Sequence, residues 1–394
     1  MKDYQLFAQE CIKCAKCIQH CTMYKVHRDE VHSPRGLLEL ISSVKKEDLT
    51  FQNALESCFL CGDCSSRCPK DLPIDFVIKV AKSNGKLSLF QKVYFYLLRH
   101  QKIADLVFSC LAFLPSCLFK SKKIKPIFKL SFTKKSFLNS HRSEIISTQS
   151  TGKRVMVFVG CLINYNFPKT GEALLKILDT LGYDVLLSKQ ECCGAPALFS
   201  KDINTAKILM YRNLENFEKI IDKVEAILIP EATCASVMIK DWKMLCESQE
   251  ERKRLDRIVS KMYITSEWLS RQEKLFSVLK TNLKKRVAYH DPCHSNRAFG
   301  IFQEPRKFLS HSYDFIELDD SQECCGFGGV GMQLEKNDEV NEVGRRKAKK
   351  IAQASVDIVS AECSACRVQI TNQLQQIKNS TEFKHHLELI AEAL

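Results

Sequence analysis

Four cysteines fall within the eleven residues CIKCAKCIQHC at 11–21, and the same spacing returns in CFLCGDCSSRC at 58–68. Cys11, Cys14, Cys17 and Cys21 match Cys58, Cys61, Cys64 and Cys68 at one offset of 47 residues. A chain built this way folds around whatever its thiols hold. The start, MKDYQLFAQEC, is too polar for a signal-peptide core, so the chain reads as unexported and its thiols as reduced. Zinc takes two C-x2–4-C pairs separated by a loop. Three cysteines at three-residue intervals, with a fourth just beyond, instead suit a pair of cubane clusters, the fourth thiolate reaching the other cluster. On that pattern one [4Fe-4S] cluster takes Cys11, Cys14, Cys17 and Cys68, and the other takes Cys58, Cys61, Cys64 and Cys21. Structural zinc is the alternative. Pro69 follows the second run as in bacterial ferredoxins, and Thr22 stands in the equivalent place of the first.

Between the runs, HSPRGLLELISSV reads as a helix with Ser33 as N-cap and Pro34 at its first position. So long a helical connection resembles the dicluster modules of succinate dehydrogenases.

A second duplication begins at Lys153. Cys161, Cys192, Cys193 and Cys234 recur as Cys293, Cys324, Cys325 and Cys366, each pair 132 residues apart. Four matches at one offset indicate two copies of one unit. Each copy alternates β-rich runs with helical stretches, which predicts a mostly parallel sheet, and places its cysteines where strands give way to helices. That is the ligand crevice of open α/β sheets, where helix N-termini favour anionic groups. Glycine after each CC pair is expected to let the backbone approach a cluster closely. The second copy adds Cys363, and the first has Glu231 in that place. Copy two thus offers five thiolates for a further cluster; copy one offers four and a carboxylate. Buried small hydrophobes are the other reading of these pairs. Cys110, Cys117 and Cys246 fit neither pattern and read as structural thiols. His290, Asp291 and His294 flank Cys293, either tuning a cluster and passing protons or capping a helix and bonding to backbone. Arg345, Arg346 and Lys347 read as a solvated helix face.

The formal charge of +13 is concentrated between Lys86 and Lys153, where thirteen Lys or Arg face Asp105 and Glu144, a net of +11. Ile103 to Phe119 is the longest apolar stretch there, interrupted by Asp105 and Pro115 and shorter than the roughly 20 residues that span a bilayer. A helix lying on an anionic membrane surface is expected, with packing against the protein as the alternative. A nucleic-acid role would need bases interleaved with stacking aromatics on a groove, and ranks last. The expected architecture is α+β and multidomain. It comprises a helical dicluster ferredoxin module (1–85), a basic helical linker (86–152) and two α/β cysteine-rich domains (153–284 and 285–394).

These motifs, with SPRG at Ser33–Gly36, YHDPCH at Tyr289–His294 and CCGFGG, resemble a family of iron–sulfur subunits. It comprises those of glycolate oxidase, of lactate utilisation and of anaerobic glycerol-3-phosphate dehydrogenase. PEATCASV resembles the lactate and glycolate types, and ECSACRVQI the glycerol-phosphate type. The resemblance implies a dicluster ferredoxin module followed by two CCG domains, an architecture shared with heterodisulfide reductase. It implies an FAD-containing dehydrogenase partner oxidising glycolate, lactate or glycerol-3-phosphate. Electrons would pass through this chain to a membrane quinone at the cytoplasmic face of the inner membrane. Nothing in the sequence resembles a flavin or nucleotide site, so substrate oxidation is assigned to the partner. The heterodisulfide-reductase likeness leaves thiol–disulfide chemistry at the five-cysteine site, on a noncubane cluster, as an alternative.

Overall fold

A computed structural model describes residues 4–43, 49–83, 85–113 and 131–394. The N-terminal module is helical. Helix Pro34–Ser43 starts as expected: Ser33 Oγ accepts from the backbone N–H of Gly36 at 2.9 Å. It packs with helices Tyr4–Gln9 and Ile74–Lys82, leaving the cysteine runs as loops around them.

The rest is built on two sheets. β1 (Glu144–Ile145), β2 (Arg154–Val157), β3 (Asp184–Leu186), β4 (Ala226–Ile229) and β5 (Met262–Ile264) form the first, in the order β1-β3-β2-β4-β5. β6 (Leu283–Tyr289), β7 (Tyr313–Ile316), β8 (Ile358–Ala361) and β9 (Glu382–His385) form the second, in the order β7-β6-β8-β9. Every pairing is parallel except β1 on β3, an antiparallel edge that the first sheet recruits from the basic segment. Both copies thus share one strand order, 3-2-4-5 matching 7-6-8-9. The β2 and β4 strands are buried on both faces, which explains their continuous apolar runs.

The copies dock on each other about an approximate dyad. Helix Gly160–Tyr165 packs against helix Ser364–Gln376, and helix Ala232–Ser236 against helix Cys293–Phe299. Each copy also lends the helix after its last strand to the other: His386–Ala393 lies on Pro168–Leu181, and Thr265–Leu269 on Gln303–Ser312. One continuous core joins the ferredoxin helices (Leu38, Leu55, Ile78) to the first sheet domain (Phe158, Leu198, Trp242).

The described part of the linker contains helices Leu89–Arg99 and Gln101–Leu111, broken at His100, and a short helix Phe137–Ser140. The first begins with a capping box in which Ser88 and Gln91 each bond the other's backbone N–H. Phe95, Leu98, Ala104 and Phe108 face the protein, while Leu89, Val93, Leu106 and Phe113 are exposed. The described part of the apolar stretch thus packs one side against the protein and leaves the other exposed. Lys120, Lys122, Lys123, Lys125, Pro115, Cys117 and Phe119 lie outside the described residues. No described helix is long and apolar enough to cross a membrane.

Candidate metal centres

The loops bring the eight N-terminal cysteines together in crossed sets. Cys11, Cys14, Cys17 and Cys68 line one small cavity; Cys21, Cys58, Cys61 and Cys64 line another. Positive φ at Lys13, Ala15, Leu60 and Gly62 curls both loops around these spaces. Burial pushes the Cys21 thiol up to about 12 and Cys64 well above its ordinary value. Thiols so enclosed become thiolates only against a cation, so these sets suit a metal core and not bulk solvent. Buried cations surround the second set: Lys82 Nζ donates to the Cys58 carbonyl at 2.9 Å, and Arg297 Nη1 to the Cys61 carbonyl at 3.4 Å.

In copy one, Cys161, Cys192, Cys193 and Cys234 touch in series. Cys161 and Cys234 sit in the first turns of the helices after β2 and β4, and the CC pair in the turn after β3. That turn is held by Trp242 Nε1 donating to the Cys193 carbonyl at 3.0 Å and by Asn213 accepting from the Glu191 N–H at 2.7 Å. A side chain at Gly160, φ +70°, would lie 3.1 Å from Cys234 Sγ, so glycine there makes room for the thiol.

In copy two, Cys324, Cys325, Cys366 and Cys363 form the equivalent series, with Cys293 on the first turn of its helix. Contacts from Cys324 and Cys366 hold the Cys325 thiol well below its ordinary value, while Cys324 and Cys366 are pushed up.

Three expectations change. Glu231 is not a fifth donor for copy one. Its carboxylate caps the opposite copy, accepting from Ser364 N–H at 2.8 Å and from the Ser364 hydroxyl. The glycines after the CC pairs serve close helix packing rather than cluster approach. At φ +84°, a side chain on Gly326 would meet the Gly344 backbone nitrogen at 2.7 Å, and Gly194 likewise sits close on Ala206. Lys347 is no part of a solvated face. It is fully buried, and its ammonium donates to the carbonyls of Asp320 at 2.9 Å and Ser321 at 3.0 Å. Arg346 pairs with Glu342 at 3.0 Å on the exposed side of that helix.

None of His290, Asp291 and His294 caps a helix. His294 joins three parts of the molecule: Nε2 donates to the Leu60 carbonyl at 3.1 Å, and Nδ1 lies 3.1 Å from Thr233 Oγ1 beside Cys234. Burial and the Lys79 ammonium push it down to about 4. Asp291 binds Arg306 at 2.6 Å. Cys246 is half-buried and donates to the Trp242 carbonyl; Cys110 is exposed.

Sequence reasoning missed Arg297. It lies four residues beyond Cys293, hence on the same helix face, and its guanidinium sits between Cys61 and Cys293 while pairing with Asp63 at 3.0 Å. The second ferredoxin set therefore abuts copy two. Both copies open on one cavity of about 400 Å³, where Cys161, Cys193 and Cys234 face Cys293, Cys325 and Cys366. Its other walls, including Tyr94, Phe108, Tyr165 and Phe327, are aromatic and lead out under the linker hairpin.

Comparisons with known proteins agree with this layout. A 4Fe-4S dicluster domain matches residues 10–73, and a cysteine-rich domain matches 155–239 and again 287–371. The chain is 25% identical to a probable glycolate oxidase iron-sulfur subunit of Bacillus subtilis, over 97% of this chain and 93% of that one. It is 26% identical to one of the subunits of the fumarate reductase (CoM/CoB) of Methanothermobacter marburgensis (93% and 68%). Lactate utilization protein A of Bacillus licheniformis is 27% identical, over 60% of this chain and 98% of that one. The chain thus belongs to the family of iron–sulfur electron-transfer subunits that joins a 4Fe-4S dicluster domain to two cysteine-rich CCG domains, and it is similar to the glycolate oxidase subunit along nearly its whole length.

Proposed function

We propose that this chain carries electrons from an FAD-containing dehydrogenase, acting on glycolate, lactate or glycerol-3-phosphate, to a membrane quinone. The observation that carries the reading is the contiguity of thiol sets. The second ferredoxin set meets copy two through Arg297, and copy two opens on an apolar cavity. Cys11, Cys14, Cys17 and Cys68 would hold one [4Fe-4S] cluster; Cys21, Cys58, Cys61 and Cys64 a second; Cys293, Cys324, Cys325, Cys363 and Cys366 a further one. Such clusters accept and release single electrons. Arg297 and Lys82 offset the negative charge of the second set, and His294 holds its loop against both copies. The aromatic walls exclude water and suit a ring with an apolar tail. Protein purified anaerobically is expected to contain at least two [4Fe-4S] clusters and, once reduced, to be reoxidised by a short-tailed quinone. Stoichiometric zinc without sulfide would overturn the reading.

Copy two is expected to hold its cluster more firmly than copy one, because Glu231 is committed to Ser364. Cys324→Ser should then change the paramagnetic spectrum more than Cys192→Ser; equal or reversed changes would show the opposite assignment.

A second reading has support of its own. The thiols of both copies face one cavity, and a relative bears the name of a CoM/CoB fumarate reductase. In that case the cavity takes a disulfide or thiol pair. Rapid oxidation of the reduced protein by a disulfide, and not by quinone, would select it.

A further inference from the structure

His290 stands at the end of β6, fully buried beside the copy-two thiols. Its Nδ1 lies 3.1 Å from the carbonyl oxygen of Ser321. A carbonyl only accepts, so Nδ1 carries the ring proton and donates it. The neutral ring then presents a bare Nε2. That atom makes no hydrogen bond of ordinary geometry among the described residues; it faces the Cys325 thiol, and it forms with the sulfurs of Cys325 and Cys366 a group mutually within 4.8 Å. Metal–nitrogen and metal–thiolate bonds of about 2.0 and 2.3 Å let one metal atom bridge such a group.

The ring is clamped. The Ser321 carbonyl also accepts from the Asp291 backbone N–H at 3.1 Å and from Lys347 Nζ at 3.0 Å, and Ser321 Oγ donates to Asp291 at 2.7 Å. Three donors on one buried carbonyl fix its position, and with it the tautomer and direction of the imidazole, as the outer partners of metal-bound histidines do. An unprotonated nitrogen has no hydrogen to give to a thiolate, and an iron-bound thiolate has none to give back. A metal is the remaining partner that repays its burial.

We propose that His290 Nε2 is a sixth donor of the copy-two centre, binding iron directly alongside Cys293, Cys324, Cys325, Cys363 and Cys366. The inference rests on the reading that copy two holds a cluster. It separates the copies further, because the position equivalent to His290 in copy one is Phe158, which cannot ligate. A neutral imidazole at position 290 leaves the centre less negative, and its potential higher, than a sixth thiolate there would.

The test is pulsed paramagnetic resonance on the full chain, purified anaerobically with its own iron and grown with natural-abundance or 15N-labelled histidine, in oxidised and reduced samples. A strongly coupled histidine nitrogen is expected in wild type, lost in His290→Ala and retained in His294→Ala. His290→Cys is expected to keep the iron, lose that coupling and lower the potential of the centre. Absence of the coupling in iron-loaded wild type, or its survival in His290→Ala, overturns the assignment; the wild-type measurement needs no variant to fold. Iron and sulfide contents unaltered by Cys324→Ser would instead remove the copy-two cluster itself, and the inference with it.

Discussion

Replacing Lys79 by methionine is expected to destabilise the protein by about 3–5 kcal/mol, because it strands the buried carboxylate of Asp241 and the half-buried one of Asp75. Lys79 Nζ, on the helix Ile74–Lys82, lies 2.8 Å from Asp75 and 2.9 Å from Asp241 of the first cysteine-rich domain. This triad sits in the contact between the ferredoxin helices and that domain. The two acids are not equivalent. Burial pushes Asp75 up, but Lys79 and a Ser65 hydroxyl outweigh it and hold the group at about 2. Asp241 is driven by burial, with the Asp75 charge beside it, to about 6 from an ordinary 3.8 despite Lys79 and Lys240. A depressed pKa gives stability that is present above the unfolded value and lost as pH falls, here through about 2. A raised carboxylate pKa has the opposite sign: its contribution is full below 3.8 and declines as pH rises through about 6. Asp75→Asn is therefore expected to cost more at neutral pH than Asp241→Asn, and Asp241→Asn to remove a loss of stability between 3.8 and about 6. Thermal unfolding of the iron-loaded protein measures all three variants. An unchanged midpoint for Lys79→Met, or a larger cost for Asp241→Asn, would contradict this account.

How much of this was legible beforehand depended on distance along the chain. Offsets of 47 and 132 identified both duplications, and apolar runs ending at cysteines located β2, β4, β6 and β8. Repetition shows that two units are alike, however, and not how they dock. The dyad that brings Cys234 opposite Cys293 is a matter of surface fit between copies, so the shared cavity had no sequence signal. Glu231 looked like a ligand because it occupies the place of Cys363; its true partner, Ser364, lies 133 residues away in the other copy. Lys347 was a different kind of miss. Val340, Val343, Gly344, Lys347, Ala348 and Ile351 form a stripe at helical spacing, and all are buried. The period placed the lysine inside, and its charge argued it outside. The backbone carbonyls at 320 and 321, set by a loop no local pattern describes, decided in favour of the period.

Replacing Leu89 and Leu106 together by serine is expected to reduce partition onto anionic liposomes by on the order of 10²–10⁴. Leu89 is 78% and Leu106 67% exposed on the outer side of the linker hairpin, with Phe113 at 69%. Each leucine taken from water into lipid contributes about 1.5–3 kcal/mol, and every 1.4 kcal/mol is roughly tenfold. Basic residues near the surface add on the order of 1 kcal/mol each and are screened by salt. The two contributions are thus separable. High salt, or replacement of Lys120, Lys122, Lys123 and Lys125, should weaken binding without abolishing it, while the leucine variant should lose the salt-resistant part. The inner side of the same hairpin roofs the cavity shared by the thiol sets through Tyr94, Leu97 and Phe108. Lipid contact on the outer side would then place that cavity within reach of a quinone in the bilayer. Wild-type partition by the leucine variant would detach the hairpin from the membrane and remove this route. Its exposed leucines would then be free to serve the partner dehydrogenase.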